Sequence, residues 1–430
     1  MSYIIRLSLD ILYQQRHFIT LLLLVIFAGL AGKLILAAMA LLFIYFILKE
    51  EWRSLYVLFS LLTICVVSNN LTPAFSFASK LRFVCLGLSL FHIYTNKLQN
   101  YRIASIILPY SVITFITTYY HGILGIEYLA RAVSFYLMFF SISSLIIDVL
   151  SQKKVFFYFM MLSWMLMFAL LNYVFCFITF GENVEGNFRF KGIMGNSNGL
   201  SMFMIILFPL IDMCKLCITG IKNNYYDALK LACFVLILLT GSRNGLICII
   251  FYESIIRFYK YRGIIIIVAM ILAMLFSNID MRDIKHVTDY FGISERLRIN
   301  SLEDASGRTV VWDVAKEEIK KQPWLGKGMG YDNYFIIQYG EEHIGANRAR
   351  HWYGIWNSYY SMLLNVGYVG LILYFLFLYK GFIYSQNKII AIATTCVVLF
   401  SAITESWLVA SMNSITPLYF TYLTLQIKDT

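Results

Sequence analysis

Apolar runs of about 20 residues recur along almost the whole chain, separated by short polar breaks. A helix of that length crosses the ~30 Å hydrocarbon core of a bilayer, whereas a barrel strand would alternate apolar and polar positions over about 10 residues. The pattern predicts an all-α, polytopic membrane protein with about 14 transmembrane helices. Their centres fall near residues 24, 41, 61, 85, 110, 138, 167, 206, 234, 250, 270, 365, 395 and 417. One break is long, between residues 279 and 352, and it divides the chain. Residues 1–180 read as amino-terminal membrane helices, 181–278 as membrane helices carrying arginine motifs, 279–352 as a large extramembrane loop, and 353–430 as carboxyl-terminal membrane helices. Inside the loop, Asp313 to Lys321 reads as a short amphipathic helix ending before Pro323, and Gly326, Gly328 and Gly330 read as a flexible turn.

Composition supports this pattern: 60% of residues are hydrophobic, 14% are charged, and the mean hydropathy is +0.71. A soluble globular protein is thereby excluded. The large loop holds 12 of the 24 acidic and 11 of the 35 basic residues, so the surplus behind the net charge of +11 lies in the short loops. There Lys97 with Arg102, Lys153 with Lys154, Lys215 with Lys222, Arg257 with Lys260 and Arg262, Lys380 with Lys388, and Lys428 fall at every second loop. Lys and Arg accumulate on the cytoplasmic side. Both termini are therefore expected in the cytoplasm, with no removable signal peptide. Segment 181–197, the turn Gly241–Gly245, the large loop and the stretch around Glu405 come to the opposite, outer side. The charge is a topology signal, and no nucleic-acid partner is expected. None of the eight cysteines lies in the large loop, so no disulfide framework holds it.

Four motifs cluster on that outer side. The first, FRFKGIMGNSNGLS, carries Arg189 and Lys191 before a span, with glycines that let the main chain approach a ligand and amides at a helix start that favour an anion. A snorkelling basic pair is the competing reading. The second, TGSRNG, sets Arg243 between two apolar runs with almost no loop. A guanidinium there costs free energy unless it is paired or solvated, and its planar fork can bind phosphate oxygens bidentately. It can equally anchor the chain at the interface. The third places Arg308 after Gly307 in the large loop, followed by PWLGKG. The fourth, HWYGIWNSYYSMLLNVGYVG, offers His351 as a candidate base, Asn357, and Gly367 with Gly370 for close helix contact. A lone interfacial histidine is more often structural, and so is a glycine pair in a helix.

In their order, these motifs over residues 185–410 resemble the O-antigen polymerase and ligase superfamily. The resemblance implies a GT-C-like membrane fold and an inverting glycan transfer without a bound metal. It also implies undecaprenyl pyrophosphate-linked oligosaccharides as substrates at the periplasmic face. Arg189, Arg243 and Arg308, with Lys191 and Asn357, are then the expected substrate-binding residues, and His351 the catalytic base. No cofactor is expected; membrane lipid and a possible chain-length regulator are the expected partners. One departure bears on the activity. Ligases of this superfamily carry a histidine directly before the Asn or Ser ten residues ahead of the first helix glycine; here Asn357 holds that spacing to Gly367 and Trp356 precedes it. This favours a polymerase over a ligase joining glycan to lipid A core.

A lipid-linked oligosaccharide flippase or other transporter is the reading from another class, because Lys80, Arg82, Glu127, Arg131 and Glu253 lie in or beside apolar runs. Transporters commonly show two related halves, and the large loop has no counterpart in the amino-terminal half.

Overall fold

The computed structural model describes Arg6, Tyr13 and residues 16–49, 53–68, 78–121, 125–178, 189–259, 308–345 and 350–427. Its helices are α1 (Arg16–Ala31), α2 (Lys33–Lys49), α3 (Arg53–Val67), α4 (Ala78–Thr95), α5 (Leu108–His121), α6 (Ile126–Ile178), α7 (Ser197–Cys217), α8 (Asn223–Thr240) and α9 (Arg243–Phe258). In the large loop and beyond come α10 (Arg308–Lys321), α11 (Tyr331–His343), α12 (Ser358–Ile383), α13 (Lys388–Ser401) and α14 (Thr416–Gln426). Among the described residues there is no sheet, only an isolated bridge between Ser385 and Ile427.

Three described stretches are long and apolar enough to cross a membrane on their own: Ile126–Val174, Ser197–Cys217 and Ser358–Ile383. Arg53–Val67, Leu81–Thr95 and Lys388–Ser401 are apolar but shorter, so the 14 spans of the sequence reading are not all matched by full-length helices. The expected span near residue 270 lies outside the described residues. The chain is a membrane protein. Within α6 the backbone leaves helical geometry at Lys153 (φ −148, ψ 74). An unbroken helix of 53 residues would be ~80 Å long, far beyond the hydrocarbon thickness, and the break falls at the basic pair that the sequence places between two spans.

Hydrogen bonds and an ion pair show how the helix ends sort. Arg189 meets Thr240, and Ser358 meets Ala402, at one end of the bundle. Gln386 meets Gln426, and Lys215 meets Asp227, at the other. Lys215, Arg257 and Lys388 lie at helix ends away from Arg189 and Arg308.

The large loop is built onto α12. Val311, Ala315 and Ile319 of α10 and Ile336 of α11 pack with Trp352, Ile355, Leu363 and Leu364 into a separate small core. The helix expected over 313–321 is present and starts earlier, at Arg308. The glycine turn is a lock rather than a flexible hinge. At Gly367, α12 breaks (φ 64, ψ −167), and the Tyr368 and Val369 amides that would have bonded one turn back donate instead to the carbonyls of Pro323 (2.8 Å) and Trp324 (3.1 Å). The orphaned Leu364 and Asn365 carbonyls accept from the amides of Lys327 and Gly328, both at 2.8 Å. PWLGKG thus fills the gap in the helix and pairs these four backbone groups. A Cβ on Gly367 would lie 2.3 Å from the Trp324 carbonyl, and one on Gly326 2.5 Å from the backbone of Asn365, so neither position admits a side chain without moving main chain.

A buried carboxylate braces the same turn. Glu318 accepts from Lys327, from the Tyr331 hydroxyl (2.7 Å) and from Lys321 (2.7 Å). Burial pushes its carboxyl up, but these donors outweigh it and hold the group at about 2.

Candidate active site

The first motif docks onto the second through main chain. The Phe190 amide donates to the Leu239 carbonyl at 3.0 Å, and Arg189 Nε donates to the Thr240 carbonyl at 2.8 Å. Beneath it, Asn172 of α6 accepts from the Ile193 amide at 3.1 Å, fixing the 3-10 turn Gly192–Met194. Asn196 caps α7, accepting from the Asn198 amide at 3.0 Å, and Ser242 caps α9, accepting from the Gly245 amide at 3.3 Å. Arg243 is the first residue of α9, half-buried, in the turn that receives Arg189. Lys191 enters the 3-10 turn, also half-buried.

Glu405 joins these motifs to the large loop. It lies in the connection between α13 and α14, and Ser358 fixes its main chain: the Ser358 hydroxyl donates to the Glu405 carbonyl at 2.6 Å, and the Ser358 amide to Ala402 at 2.8 Å. On its side chain, Oε1 accepts from Asn198 Nδ2 at 2.7 Å and stands 3.6 Å from Arg308 Nη2. Asn198 in turn accepts from Arg189 Nη2 at 2.6 Å. Arg308 also donates to the Thr404 carbonyl. The chain of contacts runs Arg189, Asn198, Glu405, Arg308, so guanidiniums more than a hundred residues apart meet around one carboxylate. Burial raises the Glu405 carboxyl above the usual range, opposed by Arg308, Asn198 and Arg189. Both contacts fall on Oε1.

That carboxylate lines a cavity of about 470 Å³. Asn196, Gly199, Asp332, Asn333 and Asn365 share the wall, as do Arg82 and Arg131 from α4 and α6. Asp332 is buried, accepts from Asn365 Nδ2 at 3.1 Å, and has its carboxyl raised by that burial. Among the described residues, Arg189, Arg243 and Arg308 stand outside the lining, with Glu405 between two of them and the cavity.

Of the residues expected from sequence, Arg189 and Arg308 share the Glu405 cluster, and Arg243 lies in the adjoining turn. Asn357 is buried and caps α12, its Oδ1 accepting from the Tyr359 and Tyr360 amides at 2.9 and 3.1 Å, so this oxygen is committed to the helix start. His351 falls in the 3-10 turn Arg350–Tyr353, but its side chain lies outside the described residues. Trp356 adopts a left-handed backbone (φ 54), rare for a bulky residue, and sits 5.8 Å from the Arg308 guanidinium. Sequence reasoning grouped the stretch around Glu405 with the arginine motifs but gave that residue no role. The available signal was an acid in a short connection between apolar helices, on the side where the arginines gather.

The charges that suggested transport divide. Glu253 pairs with Lys230 at 2.9 Å, and Lys230 also with Asp212 at 2.8 Å, so this group is an internal ion-pair network near the far end of the bundle. Arg82 and Arg131 belong to the cavity, whereas the Lys80 side chain lies outside the described residues.

Comparison with curated proteins gives no match. Residues 228–375 match the family model described as O-Antigen ligase, a stretch running from within α8, through Arg243 and the large loop, into α12 past the Gly367 break. Members of this family are glycosyltransferase-like enzymes of surface polysaccharide biosynthesis. The turn bearing Arg243, the loop bearing Arg308 and the start of the helix that Asn357 caps lie inside the matched segment, which is similar to the superfamily that includes the O-antigen ligases and polymerases.

Proposed function

We propose that this protein is a surface-polysaccharide polymerase with a GT-C-like membrane fold, working at the periplasmic face of a bacterial inner membrane with both termini in the cytoplasm. It moves the growing glycan from undecaprenyl pyrophosphate to the terminal sugar of a new lipid-linked repeat unit. The observation that carries this reading is the convergence of Arg189 and Arg308 on Glu405, beside the turn of Arg243 and at the wall of a polar cavity.

In the reaction, the acceptor hydroxyl oxygen attacks the anomeric carbon. The bond from that carbon to the diphosphate oxygen breaks, the electron pair leaves with the diphosphate, and configuration inverts. A diphosphate is already a good leaving group, so the protein's task is to stabilise the charge developing on it and to align the acceptor. Arg189, Arg243 and Arg308 supply that stabilisation, with Lys191 in support. The hydroxyl proton goes to Glu405 Oε2. We assign it there ahead of His351 because Glu405 lines the cavity and burial raises its proton affinity. No metal takes part in this scheme.

Trp356 in the place of a ligase histidine supports polymerase over ligase. Arg243→Ala is expected to leave surface glycans capped with a single repeat unit when expressed in a strain lacking its own polymerase. Long-chain ladders of normal intensity at normal protein level would remove Arg243 from the mechanism.

A further inference from the structure

The cavity has a second basic wall that the reaction above does not use. Arg82 comes from the first turns of α4 and Arg131 from the start of α6, and both line the same space as Glu405. Arg82 Nη1 donates to the Met412 carbonyl at 2.8 Å, while its Nε is buried with no hydrogen-bond partner. Arg131 lies 4.8 Å over the Tyr128 ring. Among the described residues neither makes an ion pair. The two carboxylates of the cavity are engaged elsewhere, Glu405 by Asn198 and Arg308, and Asp332 by Asn365.

An arginine cannot shed its proton to escape this position. Arg82 carries the cost, with a buried Nε–H that has no partner, and the exposed Arg131 adds a second positive charge to the same cavity, which an anion would offset. Phosphate oxygens meet both needs, because they accept from guanidinium forks and carry the opposite charge.

We infer that Arg82 and Arg131 form a second phosphate site, which holds the diphosphate of the acceptor lipid while the Arg189 and Arg308 cluster holds that of the donor. This rests on the polymerase reading, in which both substrates are polyprenyl diphosphates. Asn333 and Asn196, on the same cavity wall, supply amide groups for the sugar that enters between the two sites.

The test is binding rather than turnover, so it stands apart from the polymerase assay. Purified protein in nanodiscs is titrated with undecaprenyl pyrophosphate, and bound lipid is counted by native mass spectrometry, for wild type, R82Q/R131Q and R308Q. Wild type is expected to take two equivalents. R82Q/R131Q is expected to lose one, with that step weakened roughly tenfold or more, and R308Q to keep the step that R82Q/R131Q loses. Excess phosphatidylglycerol and inorganic phosphate are expected to leave both steps in place. Two undiminished equivalents in R82Q/R131Q would overturn the site, and displacement by phosphatidylglycerol or phosphate would overturn its assignment to a diphosphate lipid. If the double variant unfolds, R131Q alone carries the test, since Arg131 is exposed and its loss leaves the Met412 contact intact. Loss of one equivalent without any polymerising activity would preserve this site and discard the polymerase.

Discussion

Glu405→Gln is expected to cut glycan elongation by roughly 10²–10⁴-fold, the range that a positioned proton acceptor contributes. The amide preserves an acceptor for Asn198 and fills the same volume, so the fold should survive. Glu405→Ala is expected to do more. It leaves the Arg308 guanidinium and the Asn198 amide facing each other across a buried gap with no carboxylate, and breaking a buried pair in this way costs about 3–5 kcal/mol. The pH dependence separates the two roles. Burial raises the Glu405 carboxyl, so wild-type elongation should fall as the medium is acidified through that raised value, because the protonated acid cannot accept the hydroxyl proton. Glu405→Gln should lose this acid limb. A Glu405→Gln enzyme with wild-type rate and an unchanged acid limb would take the proton acceptor away from this residue.

The second large effect concerns the lock. Gly367→Ala is expected to destabilise the protein by about 3 kcal/mol or more, since the backbone there (φ 64, ψ −167) is open essentially to glycine alone, and the added carbon would press on the Trp324 carbonyl. Gly87→Ala is the control, because nothing lies within 4 Å of its Cβ. Thermal unfolding in detergent, with proteolysis of the large loop as a second readout, distinguishes them. Equal melting temperatures for the two variants would show that PWLGKG does not depend on the break in α12.

The helical architecture was legible because bilayer helices must satisfy their backbone groups internally, which writes long apolar runs into the sequence. Arg189 and Arg243 stand out for the same reason, as guanidiniums beside apolar runs, whereas Arg308 in the charged loop is marked only by its place after Gly307. The Glu405 hub was not legible. Its importance comes from tertiary meeting of residues 198, 308 and 405, and a single carboxylate in a short connection carries no periodic signal. The glycine lock was half legible. The spacing of Gly367 and Gly370 pointed to close packing, but the partner turned out to be the inserted PWLGKG main chain rather than a neighbouring helix, an exchange of hydrogen bonds invisible to side-chain pattern. Asn357, expected to bind substrate, also sits directly before Ser358, where its Oδ1 caps α12.

If guanidiniums gathered around Glu405 hold the leaving diphosphate during glycan transfer, removing either of them must slow the transfer itself. The most direct measurement is elongation with purified protein and one defined undecaprenyl pyrophosphate-linked repeat unit, comparing wild type with Arg189→Ala and Arg308→Ala. Wild type should build a ladder of lengthening lipid-linked products, and each variant should slow it by roughly 10²-fold or more. Undiminished ladders from both variants, or no elongation by a folded wild-type protein, would contradict it.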